Sequence, residues 1–303
     1  MMAVQRWGVG SSSVFRVEEL LGQLFDKSRF FAGYDPEIME SLKEWLGANH
    51  ISPEGNIISS IHSWLIEIDG KRVLVDGCVG DAKDRMPFRD WHEMRTSWLD
   101  NLHAAGCTPD DVDFVMCTHL HVDHVGWNTR LENGRWVPTF PNARYLFSTT
   151  EYEFWKARRA EELTSGFEVV GNKVFDDSVL PVVEAGLVDL VDGDHDILDG
   201  LRIEPAPGHT PGSITLELHT AGERALFTGD IMHHPIQIRL PDWNSAFCEL
   251  PDEARATRRR VLEHCADTGA LLMPAHFGWP HAGTIRREGG TFAIDYVEPN
   301  ALS

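Results

Sequence analysis

Basic charge is scarce in this chain of 303 residues: 27 lysines and arginines stand against 47 aspartates and glutamates, a formal net charge of -20 at pH 7. Binding phosphates needs a basic surface, so this balance argues against a nucleic-acid partner. Its ordinary consequence is solubility. Cysteine is sparse too. The five present (Cys78, Cys107, Cys117, Cys248, Cys265) are odd in number and widely spaced, with no CxxC pair. That fits free thiols in a reducing compartment better than a disulfide framework. No apolar run approaches the ~18 residues of a membrane span, and the opening MMAVQRWGVGSSSVF has no apolar run of signal-peptide length. A cytoplasmic, non-membrane protein is expected. Internal repeats and low-complexity segments are absent as well.

Apolar residues, by contrast, make up 42% of the sequence, enough for a sizeable core without disulfide staples. The length suggests roughly two domains at ~150 residues each, although layered α/β enzymes of this size often form one. Residues 1–58 read as an N-terminal extension that packs on the core or on a partner subunit, and 59–303 as the catalytic domain. A homodimer is the expected assembly. In the extension, Asp35 and Pro36 predict the start of a helix over 36–46, with Ile38, Leu42, Trp45 and Leu46 on its apolar face. Strands follow at 60–69 and 72–75, and an amphipathic helix is predicted over 89–105 from Trp91, Met94, Trp98, Leu102 and Ala105.

Further on, strands are predicted at 112–117, 144–147, 188–191, 201–204, 213–218, 224–227, 271–273 and 291–297. Helices are predicted at 150–163, 173–180 and 252–268, with Pro181 complicating the second. Two runs of strands, each followed by helices, imply two sheets packed face to face with helices outside.

The strongest local signal is His119-Leu120-His121-Val122-Asp123-His124, four metal-ligating side chains within six residues directly after an apolar strand. Imidazole nitrogen and carboxylate oxygen are donors that a borderline metal such as zinc accepts. Strand periodicity would send His124 to the opposite side from His119 and His121. A loop can instead fan the side chains out, one pair to one metal and Asp123 with His124 to a second. Three later segments repeat a ligand beside glycine or a strand end: Pro207-Gly208-His209, Thr228-Gly229-Asp230 and Pro274-Ala275-His276.

This HxHxDH motif, followed by a His, an Asp and a final His in that order, resembles the metallo-β-lactamase superfamily from about Ser60 to His276. The resemblance implies a four-layer αββα sandwich holding two divalent metal ions, zinc first and iron or manganese as alternatives. It implies His119, His121 and His209 as ligands of one ion and Asp123, His124 and His276 as ligands of the other. Asp230 would bridge them, and Asp76 would support the metal loop from behind. Asp123 and Asp230 are the carboxylates expected to take part in catalysis.

Departures within that family narrow the branch. Asp230, not Cys, stands at the bridging position, and Val122 stands where redox-active relatives carry a Glu ligand. The stretch Ala275-His276-Phe277-Gly278-Trp279-Pro280 is similar to the methyl parathion hydrolase-like group, alongside the lactonases. Trp127 replaces a glycine common after the motif. Trp127, Phe88, Trp155, Trp243, Phe247, Phe277 and Trp279 are candidates for an apolar pocket, with core packing the ordinary alternative for each. His233 and His234 are expected to be loop residues beside the site, and His281 to reach substrate. The expected activity is hydrolysis of a small-molecule lactone or similar ester, with accessory organophosphate hydrolysis. A thioesterase of the hydroxyacylglutathione hydrolase type and an iron-dependent non-hydrolytic enzyme are the alternatives.

Overall fold

A computed structural model describes residues 4–25, 27–159 and 167–300. In chain order, β1 (Val4–Val9) and β2 (Ser12–Phe25) form a hairpin, followed by α1 (Lys27–Phe30) and α2 (Pro36–Leu46). Then come β3 (Ile57–Ile68), β4 (Lys71–Val75), α3 (Trp98–Ala104), β5 (Phe114–Met116), β6 (Thr129–Glu132), β7 (Arg135–Pro138) and β8 (Arg144–Ser148). Helices α4 (Thr149–Arg159), α5 (Phe167–Val174) and α6 (Leu180–Glu184) lead into β9 (Val188–Val191), β10 (His195–Leu198) and β11 (Leu201–Pro205). The remainder is β12 (Ile214–Thr220), β13 (Glu223–Phe227), α7 (Ile236–Arg239), α8 (Pro251–Thr268), β14 (Leu271–Met273), β15 (Gly283–Glu288) and β16 (Thr291–Tyr296). Among the described residues, no helix is long and apolar enough to cross a membrane.

Two seven-stranded sheets carry the fold, in the orders β1-β2-β3-β4-β5-β8-β9 and β10-β11-β12-β13-β14-β15-β16. Their facing sides bury Trp7, Val14, Trp64, Ile66, Leu216, Phe227 and Met273 in one cluster. The outer side of the first sheet packs against Trp98 and Leu102 of α3 and Trp155 of α4. That of the second packs against Val261, Leu262 and Cys265 of α8. This is the four-layer αββα sandwich expected from the sequence, and the mixed parallel and antiparallel pairing places several strand ends on one rim. Pairs β4/β5, β5/β8 and β13/β14 are parallel, so the loops after β4, β5, β13 and β14 share that rim.

The N-terminal residues do more than precede this sandwich. β2 pairs with β3 along its length, from Ser13↔Glu67 to Phe25↔Ile57. β1 also reaches across to the C-terminal side, where the Trp7 indole donates to the Val297 carbonyl at 2.9 Å and the Asn300 amide to the Arg6 carbonyl at 2.7 Å. Residues 30–57 form their own small core of Phe30, Phe31, Met39, Leu46, Ile51 and Ile57 against Ile236. The helix expected over 36–46 is present, with the Asp35 carboxylate accepting from the Glu37 and Ile38 amides.

Two helix expectations need correction. Only residues 98–104 of the stretch 89–105 form an α-helix, preceded by a short 3₁₀ turn at Arg89–Trp91. Glu93 lies at φ 50°, a left-handed conformation that no α-helix continues through. The apolar spacing misleads here because Trp91 and Trp98 reach the same apolar cluster from two separate short elements. The helix expected over 173–180 is instead interrupted by a π-turn at Phe175–Val179. Pro181 has no N–H to donate to the carbonyl four residues back, that of Asp177. That carbonyl is taken up by the Lys83 ammonium at 3.3 Å and by the Thr129 hydroxyl. The helix expected at 150–163 is described from 149 to 159, and its last residues lie outside the described ones.

Around that turn a buried charge cluster ties β6 to the helical layer. Arg85 makes a paired contact with Asp177 at 2.7 and 2.8 Å, while Lys83 bonds Thr129 Oγ1 at 2.8 Å and lies 3.7 Å from the centre of the Trp136 ring. Burial pushes the Lys83 ammonium down to about 7, partly offset by Asp177. An unfolded chain, with an ordinary lysine, therefore binds more protons than the folded one between about pH 7 and 10, and stability gains from this group as pH rises through that window. Lys83→Met removes this contribution. Denaturant midpoints measured from pH 6 to 10 are expected to rise less steeply for the variant than for the parent protein.

Candidate metal centre

Each residue of the centre follows from a strand end. β4 stops at Val75, and Asp76 turns the chain in a left-handed conformation, φ 62°. One carboxylate oxygen of Asp76 accepts the Thr118 amide at 2.7 Å, and the other accepts His124 Nδ1 at 2.9 Å. The motif after β5 thus folds back over the end of β4. Close approach of backbones makes this possible: an added Cβ on Gly126 would lie 1.8 Å from the Val79 carbonyl oxygen. His209 precedes β12, Asp230 follows β13 and His276 follows β14.

The structure brings all seven sequence-predicted residues together. Donor atoms of His119, His121, His209 and Asp230 lie within 4.8 Å of one another, as do those of Asp123, His124 and His276. Asp230 faces both groups. Its Oδ1 is 3.0 Å from His276 Nε2 and 3.2 Å from His124 Nε2, and its Oδ2 is 3.2 Å from His209 Nε2 and 3.6 Å from His119 Nε2.

The hydrogen bonds at the far side of the rings reveal what this centre is built to hold. His276 Nδ1 meets the Ser60 carbonyl at 2.9 Å. A carbonyl only accepts, so Nδ1 carries the hydrogen and the lone pair of the neutral ring sits on Nε2. Asp76 imposes the same tautomer on His124. Both lone pairs then point at a carboxylate oxygen, acceptor against acceptor. His119 Nε2, only 1% exposed as a residue, has no hydrogen-bond partner among the described residues. A proton on Nε2 would relieve the first two contacts, whereas cations between the groups relieve all three. The donor set of nitrogens and carboxylate oxygens suits zinc.

Electrostatics divide along the same line. Burial holds His119 and His209 well below the ordinary imidazole range and brings His121 to about 3, so these rings stay neutral. Burial also disfavours charge on His124 and His276, but carboxylates outweigh it: Asp230, Asp76 and Asp123 raise the first, Asp230 and Asp123 the second. Against its own burial, Asp230 is held well below the carboxylate range by His124, His276, His233 and His209. The surroundings of Asp230 call for positive charge.

Above the centre opens a cavity of about 620 Å³ including its mouth, floored by His121, Asp123, His209, Asp230 and His233. Its walls are Leu24, Phe88, Trp91, Val122 and Phe247, with Arg89 and Asp90 also in the lining. Of the aromatic residues predicted for a pocket, Phe88 and Phe247 line this cavity. Trp127 turns away instead, stacking on Trp98 at 5.1 Å and donating to Glu19 Oε1 at 2.7 Å. Trp155 lies behind His121 with ring centres 5.3 Å apart, and Trp243 packs on Phe31. Phe277 is in the core beside α8. Trp279 lies against His281, and His281 faces His62 beneath the centre, its Nδ1 on the Phe277 carbonyl at 2.7 Å.

Sequence reasoning missed several residues. Leu24 comes from the N-terminal strand, which carries no motif. His233, expected beside the site, does lie there and also lines the cavity, with Nε2 3.1 Å from Asp230 Oδ2, while His234 turns its Nε2 to the His50 carbonyl. Glu151 is the largest omission. Fully buried at the start of α4, it accepts from the Leu120 amide at 3.0 Å and the Trp155 indole at 2.7 Å through one oxygen. Through the other it accepts from Thr210 Oγ1 at 2.7 Å and the Gly212 amide at 3.1 Å. It thereby ties the loop of His119 and His121 to that of His209. Gly212 permits the approach, since a Cβ there would lie 2.1 Å from the Glu151 nitrogen. Burial pushes the Glu151 carboxyl up and its four donors pull it back. An acid among helix residues gave no signal of this in the sequence.

A family model described as the metallo-beta-lactamase superfamily matches residues 58–279. An N-acyl homoserine lactonase of Bacillus thuringiensis is 28% identical over 119 residues, 39% of this chain and 38% of that protein. The match thus spans well under half of that relative. Metallo-beta-lactamase domain-containing protein 1 of Xenopus laevis is 27% identical over 215 residues, 70% of this chain and 72% of its own length. Among solved structures, the hydrolase AbOPH of the beta lactamase superfamily superposes with a TM-score of 0.81 at 24% identity, covering 100% of this chain and 99% of that one. AidC, a dizinc quorum-quenching lactonase, does so with a TM-score of 0.78 at 21% identity, covering 99% of each. At these identities the structural likeness is one of fold.

Glu151→Gln replaces two accepting positions by donors. It is expected to weaken metal retention by the group of His119, His121 and His209 about 10- to 100-fold, the usual effect of losing an outer-shell partner. Metal content after dialysis against a graded chelator, compared with the parent protein, checks this.

Proposed function

The chain belongs to the metallo-β-lactamase superfamily, and from that premise we propose that it is a dinuclear metal-dependent hydrolase that opens a lactone or a similar ester. The observation that carries the reading is the pair of ligand groups sharing Asp230 on the floor of an apolar-walled cavity. His119, His121, His209 and Asp230 Oδ2 would hold one ion, and Asp123, His124, His276 and Asp230 Oδ1 the other, with zinc the ion that best suits these donors. When bound, two such ions acidify water to a nucleophile near neutral pH and polarise the acyl oxygen under attack.

The chain's own residues do the rest. Asp76 and the Ser60 carbonyl lock the tautomers of His124 and His276, so their Nε2 atoms stay available. Leu24, Phe88, Trp91, Val122 and Phe247 take up the apolar part of a small substrate and keep bulk water from the floor. Asp123 lines the cavity as well as belonging to a ligand group, and its carboxylate would take the proton lost by the attacking water and return it to the leaving alkoxide. Catalysis by such a floor needs no covalent enzyme intermediate. Similarity to N-acyl homoserine lactonases over part of the chain supports lactones as the first substrates to try.

Turnover of acyl-homoserine lactones, γ-lactones, aryl esters, methyl parathion and a glutathione thioester by metal-loaded protein tests the proposal. Lactone or ester cleavage is expected, lost on chelation and restored by zinc. Asp230→Asn should lower kcat/KM at least 100-fold together with metal content. Cleavage of the thioester alone would overturn the ester assignment in favour of a thioesterase.

A further inference from the structure

A guanidinium is buried between the two sheets of the sandwich. Arg16 of β2 is 0% exposed and lies on the face of the first sheet turned toward the second, alongside Ser60, His62 and Trp64 of β3. Taking such a charge out of water costs several kcal/mol unless it is well bonded. Arg16 donates to Gln5 Oε1 at 3.1 Å, to Glu18 Oε2 at 2.9 Å and, most closely, to Ser60 Oγ at 2.6 Å. His62 Nδ1 holds the same hydroxyl at 2.8 Å.

Ser60 is in turn joined to His276 by both of its backbone groups. Its carbonyl takes His276 Nδ1 at 2.9 Å, and its amide donates to the His276 carbonyl at 3.0 Å. The neighbouring Ser59 and Phe277 form a bridge in the same register. The side chain of Ser60 is thus held from the N-terminal strand while its backbone sets the ring of His276. The two ligand groups share Asp76, which holds His124 directly and reaches His119 through the Thr118 hydroxyl. Their other supports differ: Glu151 binds the loops of the first, whereas Ser60 binds a ring of the second.

We propose that Arg16 is a positioning residue for the second ion, acting through Ser60 to fix the ring of His276. The proposal rests on the reading that Asp123, His124 and His276 hold that ion. It gives the N-terminal hairpin a part in the metal centre although none of its residues lies in the motif.

Cobalt-loaded protein, challenged with a graded chelator while retained ions and the visible cobalt bands are followed, tests this. The parent protein should hold two ions per chain. Arg16→Met, which keeps the length of the stem, and Ser60→Ala, which deletes one atom, should each release one ion at 10- to 100-fold lower chelator while the other is retained as before. Arg16→Lys should restore part of the loss. Glu151→Gln should loosen the other ion, with a different band affected. Fewer than two ions in the parent protein would overturn the two-ion reading, and this proposal with it. Two ions in the parent, retained equally well or loosened together in Ser60→Ala and Arg16→Met, would overturn the role of Arg16 alone. Should Arg16→Met fail to fold, Ser60→Ala decides.

Discussion

Asp230 stands among five imidazoles with one oxygen toward each group of candidate metal ligands, and much of the architecture can be read as the means of keeping it there. Buried lone pairs aimed at a buried carboxylate repel unless positive charge lies between them. The fold collects these groups at the ends of β4, β5, β13 and β14, where backbone turns out of the sheets and side chains can converge without breaking a ladder. The same strands, between the two sheets, contribute the apolar contacts that hold the rim together. Core and centre are therefore not independent: the sheets must meet in register for Asp230, from one sheet, to face His124, from the other.

Convergence alone leaves the rings free to rotate, and the outer contacts remove that freedom. Asp76 does this with a carboxylate, Ser60 with a carbonyl and Glu151 by bonding backbone and side chains of two loops at once. Such groups act at one remove, by restricting geometry and tautomer. Their cost is burial of charge, and each charge is met by several donors or acceptors. Lys83, Arg85 and Asp177 follow the same rule at a place where the helical layer is bent by Pro181.

How much of this was legible in the sequence depended on how far apart the cooperating residues lie. His119, His121, Asp123 and His124 fall within six positions, and no other arrangement of four such side chains needed to be imagined. His209, Asp230 and His276 became meaningful only through a resemblance covering most of the chain. The sandwich was legible because its strands alternate or run apolar in the ordinary way. Glu151 and Arg16 carried no signal, since what distinguishes them is the partner 59 or 44 positions away. Aromatic residues misled for a related reason: Trp127 and Phe88 look alike as apolar side chains, and only the turn at Gly126 sends the first into the core. The stretch 89–105 keeps a helical spacing although Trp91 and Trp98 reach one apolar cluster from separate short elements, Trp91 lining the cavity as well.

The contact between Trp7 and Val297 closes a loop across residues 290 positions apart. Closing a loop of that size costs entropy that grows only slowly with length, but it makes the strand pairings of the first sheet and the tail of the second mutually dependent in time. During synthesis β1 and β2 emerge well before the segment that covers them. Assembly of that seam is consequently a late event, and a topology so rich in distant pairings folds more slowly than one built from neighbours in the chain.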